Sequence, residues 1–232
     1  MSPTRIELAG LTTVVVEPRP ASDTVPTVVI LHGFGAPGAD LVSLAESIDA
    51  PARFVFPAAP LELGGLYGDA RAWWHLDLAR LEDELRRGVP RDRRDEVPDG
   101  LVTVRTQLLD FLEELAARFA VSRLVLGGFS QGAMLALDVA LHRATPPAGL
   151  LLMSGTLIAA AAWQPRLATL QGVPVLQSHG RADTLLPFSI AEALRDQLRA
   201  AGAAVDWHPF AGGHEIPPAV LDAAGRFLRA AA

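Results

Sequence analysis

The stretch of sequence that decides the fold reads Leu124-Val125-Leu126-Gly127-Gly128-Phe129-Ser130-Gln131-Gly132-Ala133. Its first half is a short apolar run typical of a buried strand, and a helical pattern follows from residue 131 to residue 142. The pattern Gly-x-Ser-x-Gly therefore lies where the chain reverses so tightly that the backbone of Ser130 is strained. Small residues on either side let strand and helix approach each other. This context indicates a nucleophilic serine; the alternative is a glycine-rich turn in which Ser130 only caps the helix.

Apolar runs of the same kind recur on both sides of this turn, and segments with helical spacing separate them. Strands buried on both faces of a mostly parallel sheet have this pattern, because helices cover both faces. The sequence therefore predicts one α/β domain over residues 1–232, with helices on both faces and no large cap domain. The predicted strands are residues 12–17, 27–32, 53–56, 123–128, 149–154, 174–179 and 204–210, and the predicted helices are residues 39–48, 100–119, 131–142, 188–201 and 217–229.

Composition and charge exclude several classes of function. The chain has 20 basic and 26 acidic residues and a net charge of -6, which offers no basic surface for nucleic acid or an anionic membrane. Because there is no cysteine, a thiol nucleophile is excluded and the nucleophile must be an oxygen. No apolar run approaches the roughly 20 residues of a spanning helix. Arg5 and Glu7 interrupt any signal-peptide core, so we expect a cytoplasmic protein without a membrane span.

A serine hydroxyl needs a base to remove its proton, and the chain supplies a suitable histidine. His214 lies in a glycine-containing loop between the last predicted strand and the last helix. Asp183 follows a predicted buried strand, so its carboxylate can orient the imidazole. The order Ser130, Asp183, His214 is the one expected for such a turn. Asp206 and Asp222 are the alternatives for the acid, and an ordinary solvated carboxylate is the alternative for Asp183. The remaining histidines lie in tight turns, at a helix end or beside other elements; they fit the role of base less well and are more often structural or exposed. They are His32, His75, His142, His179 and His208.

An oxyanion hole needs two preorganised N–H donors, one after the serine and one from a loop after an earlier strand. Gln131 and Phe34 occupy those two positions. Their contribution comes from the backbone, so we expect their side chains to matter less than the turn glycines Gly33 and Gly35. A simple tight turn is the alternative interpretation of this loop.

Residues 61–78 are too rich in glycine for a regular element and too aromatic for a plain surface linker. Something is therefore expected to pack there. The candidates for the wall of a substrate site are Leu66, Tyr67, Trp73 and Trp74, and ordinary core packing is an equally weighted alternative.

Residues 80–99 hold arginines and acidic residues in near balance. Pro90 and Pro98 break any helix that begins around Leu81. We expect a solvated excursion here. The functional alternative is a movable flap over the active site, which the charges themselves do not select.

Four separated motifs together resemble the phospholipase/carboxylesterase family, which includes acyl-protein thioesterases and bacterial carboxylesterases. The resemblance spans nearly the whole chain and implies an α/β-hydrolase fold without a lid, no metal or cofactor, and acyl substrates that enter a shallow apolar groove. The motifs, in the family's order of oxyanion loop, elbow, acid and base, are Leu31-His32-Gly33-Phe34-Gly35, Gly128-Phe129-Ser130-Gln131-Gly132, His179-Gly180-Arg181-Ala182-Asp183 and Gly212-Gly213-His214-Glu215.

The chain departs from this family at three places that bear on substrate choice. Ala36-Pro37 stands where the family often has a polar pair, and Trp73-Trp74-His75 stands where it has Trp-Phe-Asp. The stretch of residues 80–99 is also longer than the corresponding connection in compact family members. We expect a serine carboxylesterase, monomeric or homodimeric, that hydrolyses short- to medium-chain esters and also thioesters or lysophospholipids. The alternatives are a cofactor-free perhydrolase on the same triad and a catalytically silent binding protein.

Overall fold

A computed structural model describes residues 3–18, 20, 22, 24–65, 68–88 and 92–230. Strands and helices alternate along most of this length, as the sequence predicts for an α/β fold. The strands are β1 Pro3–Leu8, β2 Leu11–Val16, β3 Thr27–Leu31, β4 Arg53–Pro57, β5 Leu61–Glu62, β6 Arg71–Ala72, β7 Leu124–Phe129, β8 Gly149–Met153, β9 Pro174–Gly180 and β10 Ala204–Phe210. The helices are α1 Leu44–Ser47, α2 Leu78–Arg87, α3 Leu101–Arg118, α4 Gln131–His142, α5 Ala160–Trp163, α6 Phe188–Ala200 and α7 Pro218–Ala230, with 3-10 turns at Asp40–Ser43 and Gln164–Leu170.

The main sheet has eight strands within the described ranges, in the order β1-β2-β4-β3-β7-β8-β9-β10. All pairs from β4 to β10 are parallel, whereas β1–β2 and β2–β4 are antiparallel. The carboxyl ends of parallel strands lie at one edge of a sheet, and this is where open α/β sheets bind ligands. The loops after β3, β7, β9 and β10 therefore gather at that edge.

The core lies on both faces of this sheet because successive strand residues point to opposite faces. On β3, Val29 packs with the layer formed by α3, α4 and α6, whereas Ile30 packs with the layer formed by α1 and α7. Phe111 of α3 and Leu228 of α7 are fully buried in the two layers. The mostly parallel sheet covered on both faces confirms the α/β-hydrolase fold that the sequence predicts.

The sequence patterns missed the edge strand β1, the helices α2 and α5, and the two-residue strands β5 and β6 within residues 61–78, where no regular element was expected. Most side chains of β1 are exposed, so the strand has little apolar alternation to reveal it. The expected helix over residues 39–48 is instead a 3-10 turn followed by a single turn of α1. No helix in the described part of the chain combines the length and the apolar character needed to cross a membrane.

Candidate active site

Ser130 lies between β7 and α4 in a conformation that few non-glycine residues adopt. Its backbone angles are φ 55° and ψ -119°. Its N–H donates to the carbonyl of Met153 at 2.9 Å, which helps to hold this conformation. The flanking glycines have no space for a side chain: a Cβ on Gly128 would lie 2.5 Å from the carbonyl carbon of Gly132, and one on Gly132 would overlap the carbonyl oxygen of Leu31. A strained backbone conformation of this kind persists only where the surrounding packing enforces it. The turn therefore presents the Ser130 side chain at the sheet edge.

Asp183 and His214 form a hydrogen-bonded pair on the loops after β9 and β10. Nδ1 of His214 lies 2.7 Å from Oδ2 of Asp183. A carboxylate only accepts, so Nδ1 donates and Nε2 of the neutral ring is left as the basic nitrogen. The other carboxylate oxygen accepts the N–H groups of Leu185 and Leu186, each at 2.8 Å. Burial would raise the pKa of Asp183, but hydrogen bonds from His179, His214 and Leu186 hold it well below its ordinary value.

Backbone contacts fix the acid loop against the base loop. The N–H of Ala182 donates to the carbonyl of Gly212 at 2.9 Å, and the N–H of Arg181 donates to the carbonyl of Phe210 at 2.9 Å. A Cβ on Gly180 would lie 2.5 Å from that same Gly212 oxygen, so the two loops touch. The motif glycines therefore allow the close approach that brings Asp183 to hydrogen-bond distance of the base.

Ser130 and His214 open on one cavity of about 430 Å³. The imidazole of His214 packs beside the Phe129 ring, with ring centroids 4.8 Å apart. Part of the remaining wall is apolar, formed by Met134, Ile158 and other aliphatic side chains. A cavity of this volume is within the range of small-molecule sites. The proposed nucleophile and base thus line the same partly apolar cavity.

Phe34 and Gln131 line the same cavity, next to Ser130. Gln131 is the first residue of α4, and the first N–H groups of a helix have no acceptor within the helix. A Cβ on Gly33 would lie 3.5 Å from the Cβ of Ser130, so the loop after β3 reaches the serine. Both predicted oxyanion donors therefore line the cavity on which Ser130 opens.

The neutral ring of His32 links the loop after β3 to residue 59 through two hydrogen bonds. The N–H of Ala59 donates to Nε2 of His32 at 3.0 Å, so Nδ1 carries the hydrogen and donates to the carbonyl of Gly33 at 2.8 Å. Burial lowers the pKa of His32, which agrees with an uncharged side chain. These contacts give His32 a structural position under the loop after β3.

The side chain of Gln131 has a role that the sequence analysis missed. It is buried, its Oε1 accepts the N–H of Trp73 at 2.9 Å, and its Nε2 donates to the carbonyl of Trp74 at 2.9 Å. One amide thereby joins the serine turn to the aromatic residues 73 and 74. The only sequence signal for this link was the presence of an amide side chain directly after Ser130. We expected this side chain to matter less than the turn glycines, and that comparison stays a prediction, but both bonds give the side chain a structural contact that was not foreseen.

The aromatic candidates for a substrate wall fall into different environments. Trp74 lines the cavity. Trp73 lies in the core, and its ring N–H donates to the carbonyl of His32 at 2.9 Å. Trp73 therefore contacts the loop after β3 rather than the cavity. Leu66 and Tyr67 lie outside the described residues. Of the four predicted wall residues, Trp74 is the one that the described structure brings to the cavity.

The charged segment, defined here as residues 78–88 and 92–99, is more than the solvated excursion that the sequence suggested. Its helix α2 and the irregular residues 92–99 form one wall of the cavity, through Leu81, Val97 and five other residues. The N–H groups of Ala159 and Ala160 donate to backbone carbonyls of Glu96 and Arg94, at 3.0 and 2.8 Å, which anchors the segment to the rest of the fold.

Four of its side chains form a closed circuit of ion pairs, which we call the ion-pair ring. Arg80 contacts Glu84 at 2.8 Å and Glu96 at 2.9 Å, and Arg93 contacts Glu84 at 2.8 Å and Glu96 at 2.9 Å. Burial would raise the pKa of Glu84, but hydrogen bonds from Arg93 and Arg80 lower it below its ordinary value. The ring ties α2 to residues 93–96, beside the cavity.

Comparison with known proteins agrees with this architecture. The chain matches the family model described as phospholipase/carboxylesterase over residues 12–232. It is similar to acyl-protein thioesterase 1 of Eremothecium gossypii, with 30% identity over 222 residues that cover 87% of this chain and 86% of the relative. Among solved structures, esterase PE8 has 30% identity and a TM-score of 0.80, covering 96% of this chain and 99% of that chain. Zea mays acyl-protein thioesterase 2 has 25% identity and a TM-score of 0.73, covering 94% and 98%.

A mostly parallel sheet that carries a serine on a strand-to-helix turn, with an aspartate–histidine pair on later loops, defines a serine hydrolase of the α/β-hydrolase fold. The chain belongs to the phospholipase/carboxylesterase family. It is therefore a hydrolase of carboxylic esters or thioesters. The family resemblance and the enzyme class predicted from the sequence are both confirmed.

Proposed function

We propose that the chain is a carboxylesterase that cleaves short- to medium-chain esters through an acyl-serine intermediate, and that thioesters and lysophospholipids enter the same site. The observation that carries the proposal is the joint opening of Ser130 and His214 on one cavity, with His214 bound to Asp183 at 2.7 Å. The similarity to proteins named esterases and acyl-protein thioesterases supports this chemistry.

The proposed reaction starts when Nε2 of His214 removes the proton of Ser130 as its Oγ attacks the substrate carbonyl carbon. Asp183 keeps the imidazole oriented and stabilises its charged form. The N–H groups of Phe34 and Gln131 stabilise the oxyanion that forms. His214 then protonates the leaving alcohol or thiol, and an acyl-serine remains. Water activated by the same histidine releases the acid and restores the serine hydroxyl.

The cavity sets the proposed limit on acyl length. Its volume of about 430 Å³ lies at the lower end of the roughly 300 to 1,000 Å³ range of small-molecule sites. Apolar side chains such as Leu76, Leu185 and Leu186 line it and suit a hydrocarbon chain. Charged side chains of the ion-pair ring stand at another part of the wall, where a long acyl chain would bury them at a cost. These features favour acyl groups of short to medium length.

A chain-length series of p-nitrophenyl esters, from acetate to laurate, tests the proposal together with matching thioesters. The wild type should show its highest kcat/KM for short to medium esters, and Ser130→Ala should lose on the order of 10⁶-fold in kcat. Ser178→Ala, a buried serine of β9, serves as the matched control and should keep both turnover and fluorophosphonate labelling. Unchanged turnover or labelling in Ser130→Ala would remove the central claim. A maximum at laurate would contradict the proposed acyl length.

Several expectations from the sequence stay predictions. They are the single domain over residues 1–232, the cytoplasmic location, the absence of a cofactor requirement, and the monomeric or homodimeric state. Size-exclusion chromatography with light scattering measures the last of these directly.

A further inference from the structure

The buried side chain of His179 takes no part in the mechanism above, yet it lies against the proposed acid. His179 is the next-to-last residue of strand β9, four residues before Asp183, and its side chain is fully buried. Its Nε2 lies 2.9 Å from the carbonyl oxygen of Leu186 and 3.3 Å from Oδ2 of Asp183. Both oxygens only accept hydrogen bonds, so Nε2 carries a hydrogen.

The other ring nitrogen fixes the charge of His179. Nδ1 is buried and has no hydrogen-bond partner among the described residues, and the Phe188 ring packs beside the imidazole at a centroid distance of 6.2 Å. A proton on Nδ1 would be a buried donor without an acceptor, which costs free energy. His179 is therefore a neutral ring whose one N–H is directed toward Leu186 and Asp183.

This N–H acts on both oxygens of the Asp183 carboxylate. By binding the carbonyl of Leu186, it holds the turn whose N–H groups, from Leu185 and Leu186, donate to Oδ1. By facing Oδ2, it adds positive potential beside the oxygen that accepts from His214. A carboxylate held on both oxygens has one orientation available, and that orientation is directed at the base.

We propose that His179 is a positioning residue for the reaction: its Nε2–H holds the Leu185–Leu186 turn and the Asp183 carboxylate in the arrangement that orients His214. The inference rests on the proposed roles of Ser130, Asp183 and His214 as a triad. It adds a fourth side chain that acts through Asp183 and does not contact substrate. His179 does not line the cavity, which agrees with an indirect role.

Other charged groups near the acid–base pair are few and differ in position from His179. Arg181 stacks over the Phe188 ring at 4.9 Å, and Glu215 follows His214 with one carboxylate oxygen beside Gly212. The titratable side chains that share the cavity with His214 are His75, Asp77, Arg80, Arg93, Glu96 and Asp99. Among the described residues, none of these side chains hydrogen-bonds to Asp183, whereas His179 and His214 both contact its Oδ2.

The pH profile distinguishes positioning from simple packing. The His179 N–H reduces the negative potential at Oδ2. Without it, the Asp183 carboxylate stabilises protonated His214 more strongly. Activity that requires neutral His214 then appears at higher pH. A neutral hydrogen bond of ordinary strength corresponds to a shift of about half a pH unit in the acid limb of kcat/KM.

The test compares three substitutions at His179 in the full chain. His179→Leu removes the donor, His179→Gln carries an N–H near the position of Nε2, and His179→Asn carries one near the position of Nδ1. We expect His179→Leu and His179→Asn to lose about 10- to 100-fold in kcat with KM little changed, and to move the acid limb upward. His179→Gln should recover most of kcat and the wild-type acid limb.

His142→Leu is the matched control, since His142 also contacts a backbone carbonyl, that of Asp138 at 2.8 Å, but lies away from the cavity. It should change thermal stability without moving the acid limb. Equal behaviour of His179→Gln and His179→Asn, or an unmoved acid limb in both His179→Leu and His179→Asn, overturns the inference. Failure of the proposed function is separate, because it would appear as turnover that survives Ser130→Ala.

Discussion

The two sides of the cavity are held together by different physics. On the triad side, buried hydrogen bonds and glycine contacts fix Ser130, Asp183 and the loops around them. On the side formed by the charged segment, the ion-pair ring joins α2 to residues 93–96, and the ring side chains are between 17% and 49% exposed. Buried hydrogen bonds persist because an unsatisfied buried group is costly, whereas exposed ion pairs are screened by water and salt. The difference assigns a rigid role to the first side and an adjustable role to the second.

The largest expected effect tests whether the triad side depends on the orientation of one imidazole. Asp183→Asn replaces an acceptor oxygen by a donor or an uncharged acceptor, so Nδ1 of His214 no longer has a charged partner and the wrong tautomer becomes accessible. We expect kcat to fall by about 10⁴-fold, as for the equivalent change in other serine hydrolases. The measurement is steady-state hydrolysis of a p-nitrophenyl ester at pH 7 to 8.

Asp206→Asn is the matched control, because the sequence left Asp206 as an alternative acid. Its side chain is 63% exposed and pairs with His208 at 2.8 Å. It should keep wild-type kcat. Comparable losses in the two variants would contradict the assignment of the acid to Asp183.

An intermediate effect is expected at the link between the triad side and the aromatic loop. Gln131→Leu leaves the Trp73 N–H and the Trp74 carbonyl buried without partners, and each unsatisfied group costs about 1 to 3 kcal/mol. We therefore expect Gln131→Leu to lower the free energy of unfolding. Because the Gln131 backbone N–H remains in the oxyanion hole, the loss of transition-state stabilisation, measured from kcat/KM, should be smaller. Urea unfolding measures the free energy of unfolding.

Gln107→Leu provides the comparison, since the Gln107 side chain donates one hydrogen bond, to the carbonyl of Ala9 at 3.0 Å, in a half-exposed site. Its cost should be clearly smaller. If Gln131→Leu is no less stable than Gln107→Leu, the amide link does not support the site as described.

The parts of the site that depend on residues close together in sequence could be predicted, whereas those that depend on distant residues could not. The turn around Ser130 was readable because its requirements are local: a buried strand, a helix and small residues within one pentapeptide. His214 and Asp183 were found from chain order and from their places after predicted strands. The side-chain role of Gln131 was missed because its partners, Trp73 and Trp74, are 58 and 57 residues away. Tertiary contacts of this kind leave no periodic pattern.

The charged side of the cavity was missed for a related reason. The balance of arginines and acidic residues over residues 80–99 is compatible with either a solvated loop or a paired surface. Arg80 and Glu84, four residues apart on α2, were a local signal for a helix. Closure of the ring required Glu96 to return to Arg80, and that depends on the backbone anchor at Ala159 and Ala160.

The smallest expected effect concerns this adjustable side. Glu84→Gln weakens the ion-pair ring at its least exposed member without changing side-chain size. Exposed pairs contribute little individually, so we expect KM for octanoate esters to rise about two- to fivefold with kcat unchanged, and KM for acetate esters to stay nearly constant. High salt should produce the same rise in the wild type and less in the variant, because screening acts on the same contacts.

Asp83→Asn separates the ring from the net charge of α2. Asp83 is on the same helix but pairs with Arg86 and Arg87, away from the cavity wall. Both variants remove one negative charge, so only Glu84→Gln should change KM for octanoate if the ring holds the wall of the acyl site. An equal rise in both would assign the effect to long-range charge. No rise in either, with a salt-independent wild type, would show that the backbone anchor alone holds the segment and that the two sides of the cavity are equally rigid.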